Sequence, residues 1–229
     1  MVKKAPRRTA QRILEAALDR FNRFGEPNVS TTLVATDLGI SPGNLYYHYP
    51  AKEQLINRLC ADYQSKLETL LRTGADIRAM DDAERFIHGV FELIWCYRFL
   101  YRDLNDLLSK NRHLETHFQQ VLRHKSHAMT AVVSSLRNAG QLVIDPCEVD
   151  ALSHSMVLAL SYWLSYEYVR NPRQALEPEH VAPTLLRGAR ATLHVLTAYL
   201  APAQRQRWLT LDAADARRGT APTVAMAHS

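Results

Sequence analysis

Residues 39–53 read GISPGNLYYHYPAKE. A buried helix would carry Leu or Val here, and a plain solvated one Lys and Glu. This stretch instead concentrates Pro, Gly, Asn, His and three tyrosines. Ser41 is placed to cap a helix whose first position is Pro42, where the missing N–H costs nothing. That helix can run only about two turns, because Pro50 drives the residue before it away from helical angles. Upstream, Ser30 or Thr31 caps another short helix carrying Val34, Ala35 and Leu38, and Gly39 ends it. Two short helices around a glycine turn form a helix-turn-helix unit, whose second helix is shaped for a DNA major groove. Leu45 and Tyr49, four residues apart, share its inner face with Val34, Leu38 and Ile40. Pro42, Gly43, Asn44, Tyr46, Tyr47 and His48 are left outward. Asn44 can pair with a base edge, while tyrosine hydroxyls and His48 suit phosphate oxygens. Lys52 offers a further cation, and the helix starts at Thr31 and Ser41 suit anions.

The rest of the sequence reads as helical. Arg8–Phe24 repeats Ile13, Leu14, Ala17, Leu18 and Phe21 at helical spacing, with Gly25 as its stop. Beyond the short pair, Lys52–Arg72 is a long helix and Gly74–Asp81 a linker. Further helices are expected at Asp82–Tyr97, Phe99–Lys110, His113–Ala139, Cys147–Arg170 and Glu179–Leu200. Residues from about 204 onward read as a largely disordered tail. This organisation divides the 229 residues into 1–52, 53–203 and 204–229. The fold class is all-α, with a helix-turn-helix three-helix domain and a larger helical domain.

Charge points the same way. Residues 1–66 hold ten Lys or Arg against six Asp or Glu, which accounts for most of the +5 formal charge. A basic end is where a polyanion docks. No apolar run approaches the roughly 20 residues a membrane span needs, and no secretory signal is expected. Three scattered cysteines form neither a disulfide framework nor a metal cluster, which fits a reducing cytoplasm.

The motif resembles the DNA-binding domain of the TetR family of bacterial transcriptional regulators. Thr31, Val34, Ala35, Gly39, Ile40, Ser41, Leu45, Tyr46, His48, Tyr49, Lys52 and Leu55 carry the likeness, preceded by RILEAALDRFNRFG at residues 12–25. Tyr49 stands where Phe is commoner, and Leu33 where a polar residue is usual. The DNA-contacting set on this reading is Thr31, Thr32, Ser41, Pro42, Gly43, Asn44, Tyr46, Tyr47, His48 and Lys52. Within the family, GEPNVST, GISPGNLYYHY, YRFLYRDL and GQLV are similar to regulators of polyhydroxyalkanoate gene clusters. The resemblance implies that the remaining helices sense a small molecule and dimerise, through Cys147–Arg170 and Glu179–Leu200. It therefore implies a homodimeric, ligand-responsive repressor on a near-palindromic operator, with no cofactor beyond an unidentified small-molecule effector.

For that effector, Phe91, Trp95, Phe99, Trp163 and Tyr166 can supply apolar walls, with His88, Glu92 and His154 as polar anchors. For any single aromatic a plain core position is the favoured reading, and Glu92 and His154 equally suit the surface. His113, His117, His124 and His127 fall on one side of their helix, and a solvated polar stripe is favoured over a zinc site because no Cys accompanies them. The opposing class is a helical small-molecule-binding protein or enzyme that does not act on DNA. Against an enzyme stands the lack of a phosphate-binding glycine loop, a GxSxG elbow or a dinucleotide fingerprint.

Overall fold

The turn at Gly39 sets the geometry of the N-terminal unit. The glycine sits at φ +62°, the left-handed region where a side chain is strained. This lets Gly39 N–H donate to the Thr36 carbonyl at 3.0 Å and Ile40 N–H to the Ala35 carbonyl at 3.0 Å, closing one helix before the next begins. The surrounding chain comes from a computed structural model that describes residues 6–219 other than 173, 175 and 176. It forms α1 (Pro6–Phe24), α2 (Thr31–Asp37), α3 (Pro42–His48), α4 (Lys52–Leu71), α5 (Met80–Cys96), α6 (Phe99–Arg102), α7 (Leu104–Lys110), α8 (Arg112–Asn138), α9 (Val149–Arg170), α10 (Val181–His194) and α11 (Pro202–Gly219). Among the described residues the only extended pairing is an isolated antiparallel bridge between Leu142 and Leu200.

Helices α1, α2 and α3 pack on one another, and α4 runs from beneath them into the larger body. Ser30 accepts the Leu33 N–H and Ser41 the Asn44 N–H, each at 3.2 Å. Each cap is worth about 1 kcal/mol to helices too short to hold themselves. Val34, Ala35 and Leu45 are fully buried against Ile13, Ala17 and Phe21 of α1. Arg20 on α1 pairs with Asp37 at the end of α2, bracing the unit from outside.

In the body, α8 packs between α4 and α9, while α10 packs on α5 and α9. Several expectations are corrected here. The segment read as a linker is a packed turn: Gly74, Ile77 and Met80 are buried, and a Cβ on Gly74 would stand 3.3 Å from Phe86 and Val132. Phe99–Lys110 divides at Asp103 into α6 and α7. The tail expected from residue 204 begins instead as α11, anchored by buried Trp208 and by Arg207 pairing with Asp81 at 2.9 Å. Residues 220–229 of that expected tail lie outside the described residues.

Gly188 is what lets α10 approach its neighbours. A Cβ there would lie 2.7 Å from the Trp163 indole and 2.9 Å from the Phe91 ring. Alanine favours a helix interior over glycine by about 1 kcal/mol, but overpacking a filled core costs about 1–3 kcal/mol. Gly188→Ala is therefore expected to lower the melting temperature; a rise would show that Trp163 can move aside freely.

Candidate nucleic-acid interface and effector cavity

On α3 the chain separates what must be inside from what can be offered outside. Leu45 is fully buried, and Tyr49 is half-buried behind it. Ser41, Pro42, Gly43 and Asn44 are exposed, as are Tyr46 and Tyr47, the latter 80% accessible. His48 is half-buried and packs edge-on to the Tyr47 ring at 5.2 Å. Thr31, at the start of α2, shares a hydrogen bond with the Tyr46 hydroxyl at 3.0 Å, which ties the start of α2 to the second half of α3. Thr32 is exposed beside it. Space around Gly43 is open, with no atom within 4 Å of a Cβ built there. Of the ten residues read as a DNA-contacting set, seven are exposed and two, Thr31 and His48, are half-buried on α2 and α3.

Lys52 is the exception. Its ammonium donates to the Glu26 carbonyl at 2.7 Å, pairs with the Glu26 carboxylate at 2.6 Å and lies over the Phe21 ring. The expected free cation is an internal brace, because α4 starts directly under the α1–α2 loop.

Asn22 is the central fastening of this unit to the body. Asn22 of α1 donates through Nδ2 to the Cys96 carbonyl at 2.8 Å and accepts the Phe99 N–H through Oδ1 at 3.1 Å. Asp103 accepts the Glu26 N–H at 3.3 Å a few residues on. Phe99, assigned above to an effector pocket, is fully buried and meets Phe21 of α1 with ring centroids 5.3 Å apart. It belongs to the joint between the two parts.

Of the other proposed pocket residues, Phe91 and Trp163 meet beside Gly188 with Tyr166 against the indole, while Trp95, His88, Glu92 and His154 lie apart from them. Phe91 is fully buried. Trp163 donates its indole N–H to the Thr184 carbonyl at 3.0 Å and stacks beside half-exposed Tyr166. Trp95 lies under Arg98. His88 and Glu92 face each other at 3.6 Å on an open surface, and His154 is exposed. Helical spacing grouped side chains that tertiary packing sends in different directions.

The cavities lie elsewhere. One, about 290 Å³, runs between α4 and α8 and is rimmed by Glu68, Arg72, His124 and His127. His124 stands 3.2 Å from Glu68, and His117 contacts both His113 and Gln64. Among the described residues no group of three metal-ligating side chains forms. The second cavity, about 150 Å³, is enclosed by α6, α7, α8 and α9. Its walls are mostly apolar (Leu104, Leu108, Phe118 and Val121), and a convergent polar set, Tyr101, Lys125 and Ser161, closes its floor. That combination is what small-molecule sites show.

Lys125 is the buried charged residue at this cavity that sequence reading missed. It is fully buried, and its Nζ donates to the Tyr101 hydroxyl at 3.0 Å and to Ser161 Oγ at 3.2 Å. The Tyr101 hydroxyl in turn bonds that of Tyr63 on α4. Burial pushes both phenols up and pushes Lys125 down to about 7. A signal was present: Lys125 lies four residues from both Val121 and Met129, on the apolar face of its helix.

A helix-turn-helix unit presenting polar side chains, mounted on an all-helical body, is the architecture of a DNA-binding transcriptional regulator. Comparison with known proteins agrees. Residues 13–59 match the family described as bacterial regulatory proteins, tetR family, and residues 62–208 match TetR, bacterial transcriptional repressor. The chain belongs to the TetR family of bacterial transcriptional regulators, and it is a regulator rather than an enzyme. It is similar to a TetR-family transcriptional regulator from Marinobacter aquaeolei VT8, at 29% identity and a TM-score of 0.77 over 90% of this chain and 98% of that one. A structure described as a SmeT–triclosan complex shares the fold at 21% identity and a TM-score of 0.57, over 85% of this chain and 93% of that one. The uncharacterised HTH-type transcriptional regulator TtgW of Pseudomonas putida is 33% identical over 60 residues, 26% of this chain. That match spans 45% of TtgW, less than half the length of this curated relative. These matches carry no support for the narrower resemblance to polyhydroxyalkanoate-cluster regulators. No described helix is long and apolar enough to cross a membrane.

The depressed Lys125 amine makes stability depend on pH. Below about 7 the folded protein holds a buried ammonium and bears the full cost of its desolvation. Between there and the ordinary lysine range near 10.4 only the unfolded chain binds that proton, so stability from this group rises with pH. Lys125→Met removes the penalty. It is expected to stabilise the protein at pH 6 by about 1–4 kcal/mol, with the gap closing as pH rises toward 10. Denaturant titrations at pH 6, 8 and 10 check this.

Proposed function

We propose that this chain is a homodimeric, ligand-responsive repressor that binds a near-palindromic operator through α3 and is released by a small molecule held in the α6–α9 cavity. The observation that carries the DNA half is the outer face of α3, where exposed Tyr46, Tyr47 and Asn44 flank an open Gly43. Backbone and hydroxyls can approach phosphates there, while Asn44 reaches a base edge. Thr31, Thr32, Ser41, Pro42 and His48 extend the same surface. The unit comprising α1 to α3 with the first turn of α4 serves as the DNA-binding domain, and the helices beyond form the sensing and dimerising one. A cytoplasmic location follows from that target.

Support for the dimer comes from α9 and α10. Leu158, Tyr162, Tyr166 and Val169 repeat at helical spacing along α9 and are exposed, with Leu186 exposed on α10. An apolar stripe of this kind suits a self-complementary contact. Two copies joined there would carry their α3 helices to successive major grooves about 34–36 Å apart. Support for ligand control comes from α6. A single turn bears Phe99, which packs on α1, and Tyr101, which faces the cavity and bonds Tyr63 of α4. An effector that prefers a shifted α6 shifts the DNA-binding units too, by no more than its differential affinity for the two arrangements.

The test begins with genomic DNA fragments retained by the purified protein, then measures affinity for a selected fragment. Tyr47→Ala leaves the fold intact and is expected to weaken binding by about 1.5–3 kcal/mol, the range of a hydrogen bond to a charged group. Because a hydroxyl releases no counterion, the dependence of log K on log salt keeps its slope. Gly43→Ala should hold or raise the melting temperature yet lose DNA affinity through its added methyl. Retention of full affinity by both variants would sink the α3 interface. A failure to retain any fragment, with or without candidate ligands, would sink the repressor.

A further inference from the structure

Lys125 is a buried cation with no carboxylate beside it. The groups that reach its Nζ are neutral: the Tyr101 hydroxyl of α6, whose ring face also lies 4.8 Å away, and the Ser161 hydroxyl of α9. On its own helix Glu115 lies ten residues away, about 15 Å along the axis at ~1.5 Å per residue, where it accepts from Gln119. Glu68 of α4 faces His124 on another side of α8, and Glu167 of α9 is held by Arg170 and Arg187. An ammonium has three donors, and these contacts use two. A buried charge without a partner is expensive, and an apolar residue of similar volume would be cheaper as packing. The remaining donor borders the 150 Å³ cavity, whose sides are hydrocarbon and whose mouth is lined by exposed Asn105, Glu115, Gln119 and Tyr162.

We infer that this cavity takes a small monocarboxylic acid, its carboxylate on Lys125 Nζ and its hydrocarbon body along Phe118, Val121 and Leu122 toward the mouth. The inference rests on the reading of the chain as ligand-responsive and supplies the chemical class of the effector. One cation with two hydroxyls matches a single negative charge; a phosphate dianion would lack donors for its remaining oxygens. Size follows from volume, since an apolar cavity of about 150 Å³ holds a benzene-sized body. A recess of about 310 Å³ over α6 and α7 shares Asn105 and Tyr162 with the mouth and leaves room for a longer chain.

Protonation gives the site a signature. The titratable groups around Lys125 are Tyr101 of α6 and, behind it, Tyr63 of α4, with Tyr162 of α9 and Glu115 of α8 at the mouth. Burial keeps the Tyr101 and Tyr63 phenols neutral through the alkaline range and leaves much of the Lys125 amine unprotonated at pH 8. A carboxylate arriving at that pH must bring the amine back to its ammonium form, so binding takes up a proton.

The experiment is calorimetric titration of the full-length protein with straight-chain monocarboxylates from acetate to octanoate and with benzoate. Their primary amides and inorganic phosphate serve as controls, and Tris and HEPES at pH 8 as buffers of different ionisation heat. At least one acid is expected to bind with uptake of close to one proton, and to weaken toward tenfold per pH unit above pH 8. Lys125→Met, and Lys125→Gln as a second neutral variant, should each weaken that acid at least tenfold, while amides and phosphate bind no better than to the variants. Absence of acid binding, equal binding by wild type and both variants, or binding without proton uptake would each overturn the inference. An acid that binds through Lys125 yet leaves affinity for the selected DNA fragment unchanged would uphold it and defeat the ligand-responsive reading instead.

Discussion

The Asn22 amide has one donor end and one acceptor end facing the body of the protein, and both are used across the boundary between its two parts. One end takes the last carbonyl of α5, the other the first N–H of α6. Both of those backbone groups sit at a helix terminus, where the regular ladder leaves carbonyls and N–H groups without intrahelical partners. A single side chain from α1 therefore completes the chain reversal at residues 96–99 while fixing where the N-terminal unit stands. Phe99 seals the joint by packing on Phe21, and Lys52 with Glu26 ties the start of α4 to the loop after α1. The direction in which α3 points is thus decided at the joint, remote from α3 itself.

That arrangement accounts for what the sequence discloses and what it withholds. Local rules place Ser30 and Ser41 as caps, Gly39 as the turn and Leu45 as the buried residue of α3, because each depends only on neighbours within a few positions. The same rules outline α1, α4, α5, α8 and α9 to within a few residues, but run α10 six residues past His194 and miss α11. They give no view of contacts between distant segments. Aromatic character groups Phe99 with Trp163, yet Phe99 meets Phe21 from the far end of the chain. Gly74 resembles a linker residue, yet its missing side chain admits Phe86 and Val132. The polar run after Pro202 suggests disorder, yet buried Trp208 and the Arg207–Asp81 pair dock α11.

Lys125 fails to stand out for a different reason. A lysine on a helix is ordinarily a solvated residue, with its stem along the surface and its head in water. Here the positions four before and four after it are both core, so the head cannot reach the protein surface along its own helix face. Two hydroxyls from other helices meet it instead, and neither is foreseeable from α8 alone. The resulting line from Tyr63 through Tyr101 and Lys125 to Ser161 joins α4, α6, α8 and α9 through polar atoms inside an otherwise apolar body.

One turn of helix has little stability of its own, since forming its first hydrogen bond fixes several residues at once. The position of α6 is therefore set by what holds its two sides: Asn22 and Phe21 at Phe99, and the Tyr63–Lys125 line at Tyr101. An element held only by its neighbours moves when one of those holds changes. On the proposed reading, a ligand charge at Lys125 alters the second hold directly, through the hydroxyl that Lys125 and Tyr63 share. The first hold passes the change to α1, and α4 receives it independently at Tyr63. Both supports of the DNA-binding unit then respond to one ionic contact, so no long relay of small displacements is required.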